Sequence, residues 1–388
     1  MKEENGKQMS RRSFLKMGAT ASVAMGLSMA VPPAVADTLG ISTKQGLTDR
    51  GGRTAPFATR ILGSGRAAME VSSIGLGCMG MSHHRSAHPD KKALVRLLHQ
   101  AVDMGVTLFD TAESYGPWKN EELVGEALHE YRHKVNITTK FGHTFVNDKH
   151  NIGVEDCTPV NIRRVCEASL RRLRLEAIPL FYQHRQDKNV PVEEVAGTVA
   201  DLIKEGKVLR FGLSEANAET IRRAHAVCPL TAVQSEYHLM WRTPEQSIFP
   251  TLKELGIGFV AYSPLTRGFL GGDINEFTLF DADNDNRATH GQFTAETIRD
   301  NTPILNELHR FGRTRGITSS QAALAWMLAK EPWIVPIPGT TKAAHLHEDL
   351  QAVSLEYSAN EWMELEKAVA SHPVTGSRAN SRDTSIQR

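Results

Sequence analysis

Eight short β-rich runs divide the chain, and a helical pattern follows each of them. The runs are 71–76, 107–110, 135–140, 179–184, 208–213, 231–235, 258–262 and 334–337. Several are almost continuously apolar, the pattern of parallel strands covered on both faces. Apolar residues recur at helical spacing in 91–104, 120–130, 159–173, 191–204, 218–226, 245–255, 319–329 and 343–353. Eight βα units in succession predict an α/β chain folded as a parallel, eight-stranded (β/α)8 barrel, and the span from 71 to 337 suits the roughly 250 residues of that fold. Residues 60–70 read as a hairpin ahead of the barrel and 360–369 as an added C-terminal helix, so the barrel domain is expected over 59–371, with a polar tail at 372–388. The seventh connection, 266–297, is long; it carries a polar tract at 281–287 and leads into an extra helix near 299–313. Loops of that length are usually functional or unstructured.

Composition narrows the function classes. The 388 residues include 45 Lys+Arg and 44 Asp+Glu, a net charge of +1, which argues against a protein built to grip nucleic acid. Four cysteines without a CxxC spacing do not form a zinc signature. The first 36 residues read as an address instead of a fold. Arg11-Arg12 precede Phe14-Leu15-Lys16; an apolar, small-residue run follows, and Ala34-Val35-Ala36 gives a cleavage pattern. The paired arginines resemble a twin-arginine export signal, implying the export machinery as a partner, a periplasmic location and, after cleavage, no stable membrane span. The apolar run is too short to cross a bilayer, which needs roughly 20 residues. Residues 37–58 show no periodicity and read as a flexible arm.

Barrels of this kind keep their chemistry where strands end. The polar residues there are Asp110 and Tyr115 after the second strand, Lys140 at the third, His184 at the fourth, Ser214 at the fifth, Gln234 at the sixth and Ser263 at the seventh. A phenol has a pKa near 10, and a neighbouring Lys⁺ lowers it by stabilising the phenolate. A carboxylate keeps the Lys charged, and a His orients a carbonyl oxygen or shares the proton. Together they make a general acid aimed at a carbonyl.

Over about residues 60–370 the chain resembles the aldo-keto reductase superfamily. The matching motifs, in family order, are Phe109-Asp110-Thr-Ala-Glu-Ser-Tyr115-Gly116, Thr139-Lys140-Phe141-Gly142, Tyr182-Gln183-His184-Arg185, Gly212-Leu213-Ser214-Glu215, Val233-Gln234-Ser235-Glu236-Tyr237, Ser263-Pro264-Leu265-Thr266-Arg267-Gly268 and Pro336-Ile337-Pro338-Gly339-Thr340-Thr341-Lys342. The resemblance implies a tetrad of Asp110, Tyr115, Lys140 and His184. Tyr115 would donate the proton and a reduced nicotinamide the hydride, on a small-molecule carbonyl substrate. It also implies cofactor contacts: Ser214 and Gln234 at the carboxamide, Tyr262 under the ring, Ser263, Pro264, Leu265, Arg267 and Gly268 around the pyrophosphate. Gly339, Thr340, Thr341, Lys342, His345, Glu348 and Asp349 would hold the adenosine end. His345 and Asp349 depart from the usual residues, as does Gly339 from some branches. NADP is the expected cofactor because Lys342 and Arg267 remain, with NAD as the alternative. A different function class is an exported protein that binds or senses a nicotinamide cofactor with little turnover.

Other features have blander readings. Gly75-Leu-Gly77-Cys-Met-Gly80 is a GxGxxG without the helix that a dinucleotide fingerprint requires at once, so its glycines are expected to allow close backbone approach. Arg163, Arg164, Arg171, Arg172 and Arg174 are expected on a solvated helix face. Cys78, Cys157, Cys166 and Cys228 are expected as free thiols. Trp118 and Met240-Trp241-Arg242 are expected to line an apolar substrate pocket.

Overall fold

The computed structural model describes residues 58–85 and 88–378; the expected leader and nearly all of the arm after it lie outside the described residues. The chain opens with a hairpin, β1 (Thr59–Leu62) and β2 (Met69–Ser72), and then enters the barrel. The barrel units are β3 (Leu76–Gly77) with α1 (Lys91–Asp103), β4 (Leu108–Asp110) with α2 (Lys119–Leu128), and β5 (Asn136–Phe141). A second hairpin follows, β6 (His143–Val146) and β7 (Lys149–Glu155), leading to α3 (Pro159–Leu173). Then come β8 (Leu180–Gln183), α4 (Val192–Lys204), β9 (Phe211–Ser214), α5 (Ala218–Val227), β10 (Leu230–Glu236), α6 (Thr243–Ser247), α7 (Phe249–Leu255) and β11 (Gly258–Tyr262). The last elements are α8 (Ala295–Arg313), α9 (Ser319–Lys330), β12 (Ile334–Pro336), α10 (Ala343–Gln351) and α11 (Ala359–Ala370).

Eight strands pair in parallel in the order β3-β4-β5-β8-β9-β10-β11-β12. Gly75 N donates to Pro336 O (3.0 Å) and Gly77 N to Pro338 O (3.1 Å), which joins the first strand to the last and closes the barrel. Both glycines are needed there: a Cβ on Gly75 would lie 2.9 Å from Leu108 O, and one on Gly77 the same distance from Ile337 O. The interior is filled by Leu108, Leu180, Tyr182, Ala232, Val260 and Val335, with Leu62, Met69 and Val71 of the first hairpin packed into the same cluster. Tyr182 is fully buried, and its ring occupies the space a side chain at Gly212 would need.

Two expectations are corrected. The first run, 71–76, is not one strand: Val71 belongs to the hairpin and Leu76 to the barrel. Ser72 breaks it, its hydroxyl donating to Ile74 O (2.7 Å) while its N–H goes to Thr107 Oγ1, a local bonding pattern that competes with a continuous ladder. The run 245–255 is two helices, because Pro250 at the start of α7 ends the earlier hydrogen-bond series at Ile248. The β6–β7 hairpin has no counterpart in the expected elements. No helix among the described residues is long and apolar enough to cross a membrane.

Candidate active site

The strands deliver their terminal side chains to one end of the barrel. Asp110 ends β4, Lys140 sits near the end of β5, His184 follows β8, and Tyr115 lies in the loop before α2. All four are buried, Lys140 completely. Lys140 Nζ donates to Asp110 Oδ1 and to Thr111 O (2.8 Å), and it reaches the Tyr115 hydroxyl at 3.4 Å. Asp110 also accepts from Thr138 Oγ1 (2.9 Å) and Gln234 Nε2 (2.8 Å). The ring of His184 meets that of Tyr115 edge-on at 6.0 Å. The structure therefore brings the expected tetrad together.

Its electrostatics differ from the expectation in one respect. Burial is the largest influence on Tyr115 and raises its pKa; Lys140 lowers it, but the net displacement is upward. The phenol thus keeps its proton, the form a proton donor needs. Burial also pulls Lys140 down, yet Asp110 and then Tyr115 outweigh it, so the ammonium is retained. Burial holds His184 well below the usual histidine range, helped by His143 and Arg185, and the ring is neutral. Its Nδ1 has no hydrogen-bond partner among the described residues.

Every other expected site residue lines the same cavity of about 1160 Å³; Lys140 alone stands behind the wall. Ser214, Gln234 and Tyr262 lie near the tetrad on neighbouring strands. Ser263, Thr266, Arg267 and Gly268 all have positive φ, between 49° and 100°, so the backbone after β11 curls tightly along the wall. Lys342 caps α10, whose first turns carry His345, Glu348 and Asp349. Burial, then Glu348, pushes the Asp349 carboxyl up to about 8. His345 Nε2 lies 3.7 Å from Asp273 Oδ2.

Arg267 is not free for a phosphate. Its guanidinium is taken by the fully buried Glu236, at 2.7 and 3.2 Å. Lys342 and Arg313 line the same cavity without an ion pair among the described residues. Arg313 was outside the sequence reading, since nothing in helix periodicity aims a surface arginine at a cavity. The long seventh connection folds over the mouth: Arg85 Nη1 donates to Asn286 Oδ1 (2.6 Å), and Arg287 Nη1 reaches Arg267 O (3.3 Å). Residues 371–378 also pack here, with Arg378 bridging Glu215 (2.5 Å) and Glu236 (3.3 Å).

The apolar pocket expected from Trp118 and Met240-Trp241-Arg242 is not formed; none of these lines the cavity. Trp118 packs on Phe145, Trp241 lies under Arg378, and Arg242 pairs with Glu245 and Glu366. Around Tyr115 the lining is instead His83, His84, Arg85, His143, His150 and Arg185.

Residues 73–370 match the family model described as the aldo/keto reductase family. This chain belongs to that family. The glycerol dehydrogenase of Gluconobacter oxydans is similar at 28% identity and a TM-score of 0.73, over 85% of this chain and 99% of that one. A thermostable aldo-keto reductase solved with the inhibitor epalrestat is similar at 27% identity and a TM-score of 0.63, over 80% of this chain and all of that one. Membership makes this protein an oxidoreductase of small-molecule carbonyl compounds, in a family that generally works with nicotinamide cofactors.

Proposed function

We propose that this aldo/keto reductase is an exported, NADP-dependent enzyme that reduces aldehydes or ketones to alcohols with Tyr115 as the proton donor. The observation that carries the reading is the buried Tyr115–Lys140–Asp110 chain opening on a cavity large enough for a dinucleotide beside a small substrate. The donor set suits that cofactor. The left-handed backbone at 266–268 leaves a cradle, Ser214 and Gln234 offer polar groups to a carboxamide, and Tyr262 supplies a ring. When bound, the reduced nicotinamide supplies a hydride to the carbonyl carbon. Tyr115 gives its proton to the carbonyl oxygen, and the phenolate that remains is stabilised by the Lys140 ammonium. His184, neutral, fixes the oxygen by a hydrogen bond from its ring.

Lys342 and Arg313 favour NADP, since neither cation has a carboxylate partner among the described residues. Glu348 favours NAD, whose ribose lacks the 2′-phosphate. Titration with NADPH and NADH, followed by nicotinamide fluorescence, separates the two. Tyr115→Phe is expected to lower turnover about 10³-fold while leaving NADPH binding within a few-fold; retained turnover overturns the tetrad assignment. One oxidation of bound NADPH per protein, with no further turnover, would favour a sensing role. Export rests on Ser10-Arg11-Arg12 and Ala34-Val35-Ala36. Replacing Arg11 and Arg12 by Lys is expected to retain the protein in the cytoplasm, as fractionation would read.

A further inference from the structure

The arginines around the mouth fall into two groups. Arg267, Arg287 and Arg378 each hold a carboxylate within 3 Å, namely Glu236, Asp285 and Glu215. Arg85 and Arg185 have no carboxylate within ion-pair distance among the described residues, yet both line the cavity beside Tyr115. Arg185 Nη1 donates to His184 O (2.7 Å) and Ser214 Oγ (3.2 Å), and these contacts hold the guanidinium in place. Its Nε is buried with no hydrogen-bond partner among the described residues, and so is Nδ1 of His184 next to it. Arg85 is steadied by His84 O and Asn286 Oδ1, both neutral.

The carboxylates nearby are already engaged. Asp110 is tied to Lys140 and Asp285 to Arg287, while Glu155, 3.7 Å from His143 Nδ1, does not line the cavity. Two cations and several uncharged imidazoles therefore converge on the space where the carbonyl must sit, and among the described residues neither cation has a carboxylate in ion-pair contact, Asp285 acting on Arg85 only from a distance. Leaving a buried donor without an acceptor is costly, so such groups are kept where a ligand completes them.

The geometry points to a substrate that carries an anionic oxygen group, carboxylate or phosphate, within a few atoms of its carbonyl, with Arg185 as the residue that receives it and Arg85 as a second cation across the mouth. Arg185 immediately follows His184, which fixes the carbonyl oxygen, so the anion and the reacting carbon are held by adjacent residues of one strand end. A planar guanidinium pairs with carboxylate or phosphate through two N–H groups, which sets orientation as well as affinity. This inference rests on the reductase reading for its kinetic arm only.

The test has a binding arm and a kinetic arm. In the first, the full-length protein, with and without NADP, is titrated calorimetrically with glycerate, with glycerol 3-phosphate and with glycerol. At least one anion is expected to bind 10-fold or more tighter than glycerol. Arg185→Gln is expected to erase that preference and Arg185→Lys, which keeps the charge but not the paired N–H groups, to keep part of it. Equal affinity for anions and glycerol, or an unchanged preference in Arg185→Gln, overturns the inference even if no turnover is found. In the second arm, kcat/KM is compared within matched pairs, pyruvate with hydroxyacetone and glyceraldehyde 3-phosphate with glyceraldehyde. The anion-to-neutral ratio is expected to fall roughly 10- to 100-fold in Arg185→Gln, the loss of one charge-assisted contact. A ratio within one variant cancels any general loss of activity. The pair with the larger ratio identifies carboxylate or phosphate as the source. Failure to reduce any carbonyl, alongside normal anion binding, overturns the reductase reading and leaves the anion site supported.

Discussion

Lys140 has no exposed surface and holds three partners: Asp110, Thr111 O and Tyr115. Its ammonium neutralises Asp110; in the proposed mechanism it also stabilises the phenolate left on Tyr115. Lys140→Met removes that charge and leaves Asp110 buried with Thr138 and Gln234 as its side-chain donors. Removing one member of a buried ion pair costs about 3–5 kcal/mol, and the two surviving donors place this case near the lower end. A urea midpoint should register it; an unchanged midpoint would mean the pair carries no ionic weight in the folded state. The gathering of these four residues was legible in the sequence because Asp110, Lys140 and His184 stand at strand ends and Tyr115 in the loop after one, where position along the chain decides what faces the mouth. The state of charge was not legible. A neighbouring Lys argues for a lowered tyrosine pKa, whereas burial, which depends on every packed neighbour, outweighs it. Arg267 shows the same limit. Its place in the motif suggests a phosphate ligand, but Glu236 of the adjacent strand captures its guanidinium.

The element that sequence reading treated most lightly is the end of the chain. After α11, Thr375 exchanges hydrogen bonds with Asn301 of α8, and Arg378 O lies 3.1 Å from His290 Nδ1. Arg378 itself lies over Trp241, its guanidinium centre 4.6 Å from that ring, and bridges two buried carboxylates from the ends of β9 and β10. Polar composition marks such a segment as solvated; only the tertiary placement of Glu215 and Glu236 gives it a docking point. Arg378→Met keeps the packing on Trp241 but leaves Glu215 without its cation, so a loss of about 3 kcal/mol is expected from the buried pair. In a double-mutant cycle with Glu215→Gln, the two changes should couple by about 1–3 kcal/mol, because the second removes the charge that the first strands. Additive effects would show that the bridge contributes only through packing. The split of run 71–76 has a similar origin. Period and composition there are those of a strand throughout, and the break comes from hydroxyl bonds of Ser72, donated to Ile74 O and accepted from Thr107 N, that no apolar pattern reports.

Across the whole molecule, burying titratable groups at the mouth sets how folding responds to pH. Several histidines are held below their ordinary range, first by burial: His83 at about 2, His84 and His290 at about 4, His143 and His184 well below it. The unfolded chain takes up protons at these positions that the folded chain refuses, so stability is lost as pH falls below about 6.5. Two carboxyls act in the opposite sense. Burial, followed by a neighbouring glutamate in each case, pushes Glu113 and Asp349 up to about 8. Between about pH 4 and 8 the folded protein keeps protons there that the unfolded chain has released, so this contribution is whole below pH 4 and is lost as pH rises to 8. From pH 4 to 6.5 the histidines outnumber the carboxyls and dominate; above 6.5 the carboxyls act alone. Thermal unfolding of the cofactor-free protein is therefore expected to give a maximum Tm near pH 6.5, declining on both sides. Asp349→Asn removes one of the two alkaline contributions while keeping the size of the side chain, and should raise Tm at pH 8 by about 5 °C relative to the parent. Near pH 4 the two proteins should melt within about 1 °C of each other, since the folded carboxyl is then protonated and the unfolded one only partly ionised. A Tm that climbs steadily from pH 6.5 to 8, or an Asp349→Asn variant that follows the parent at every pH, would show that the Asp349 carboxyl is ionised and paired instead of held neutral.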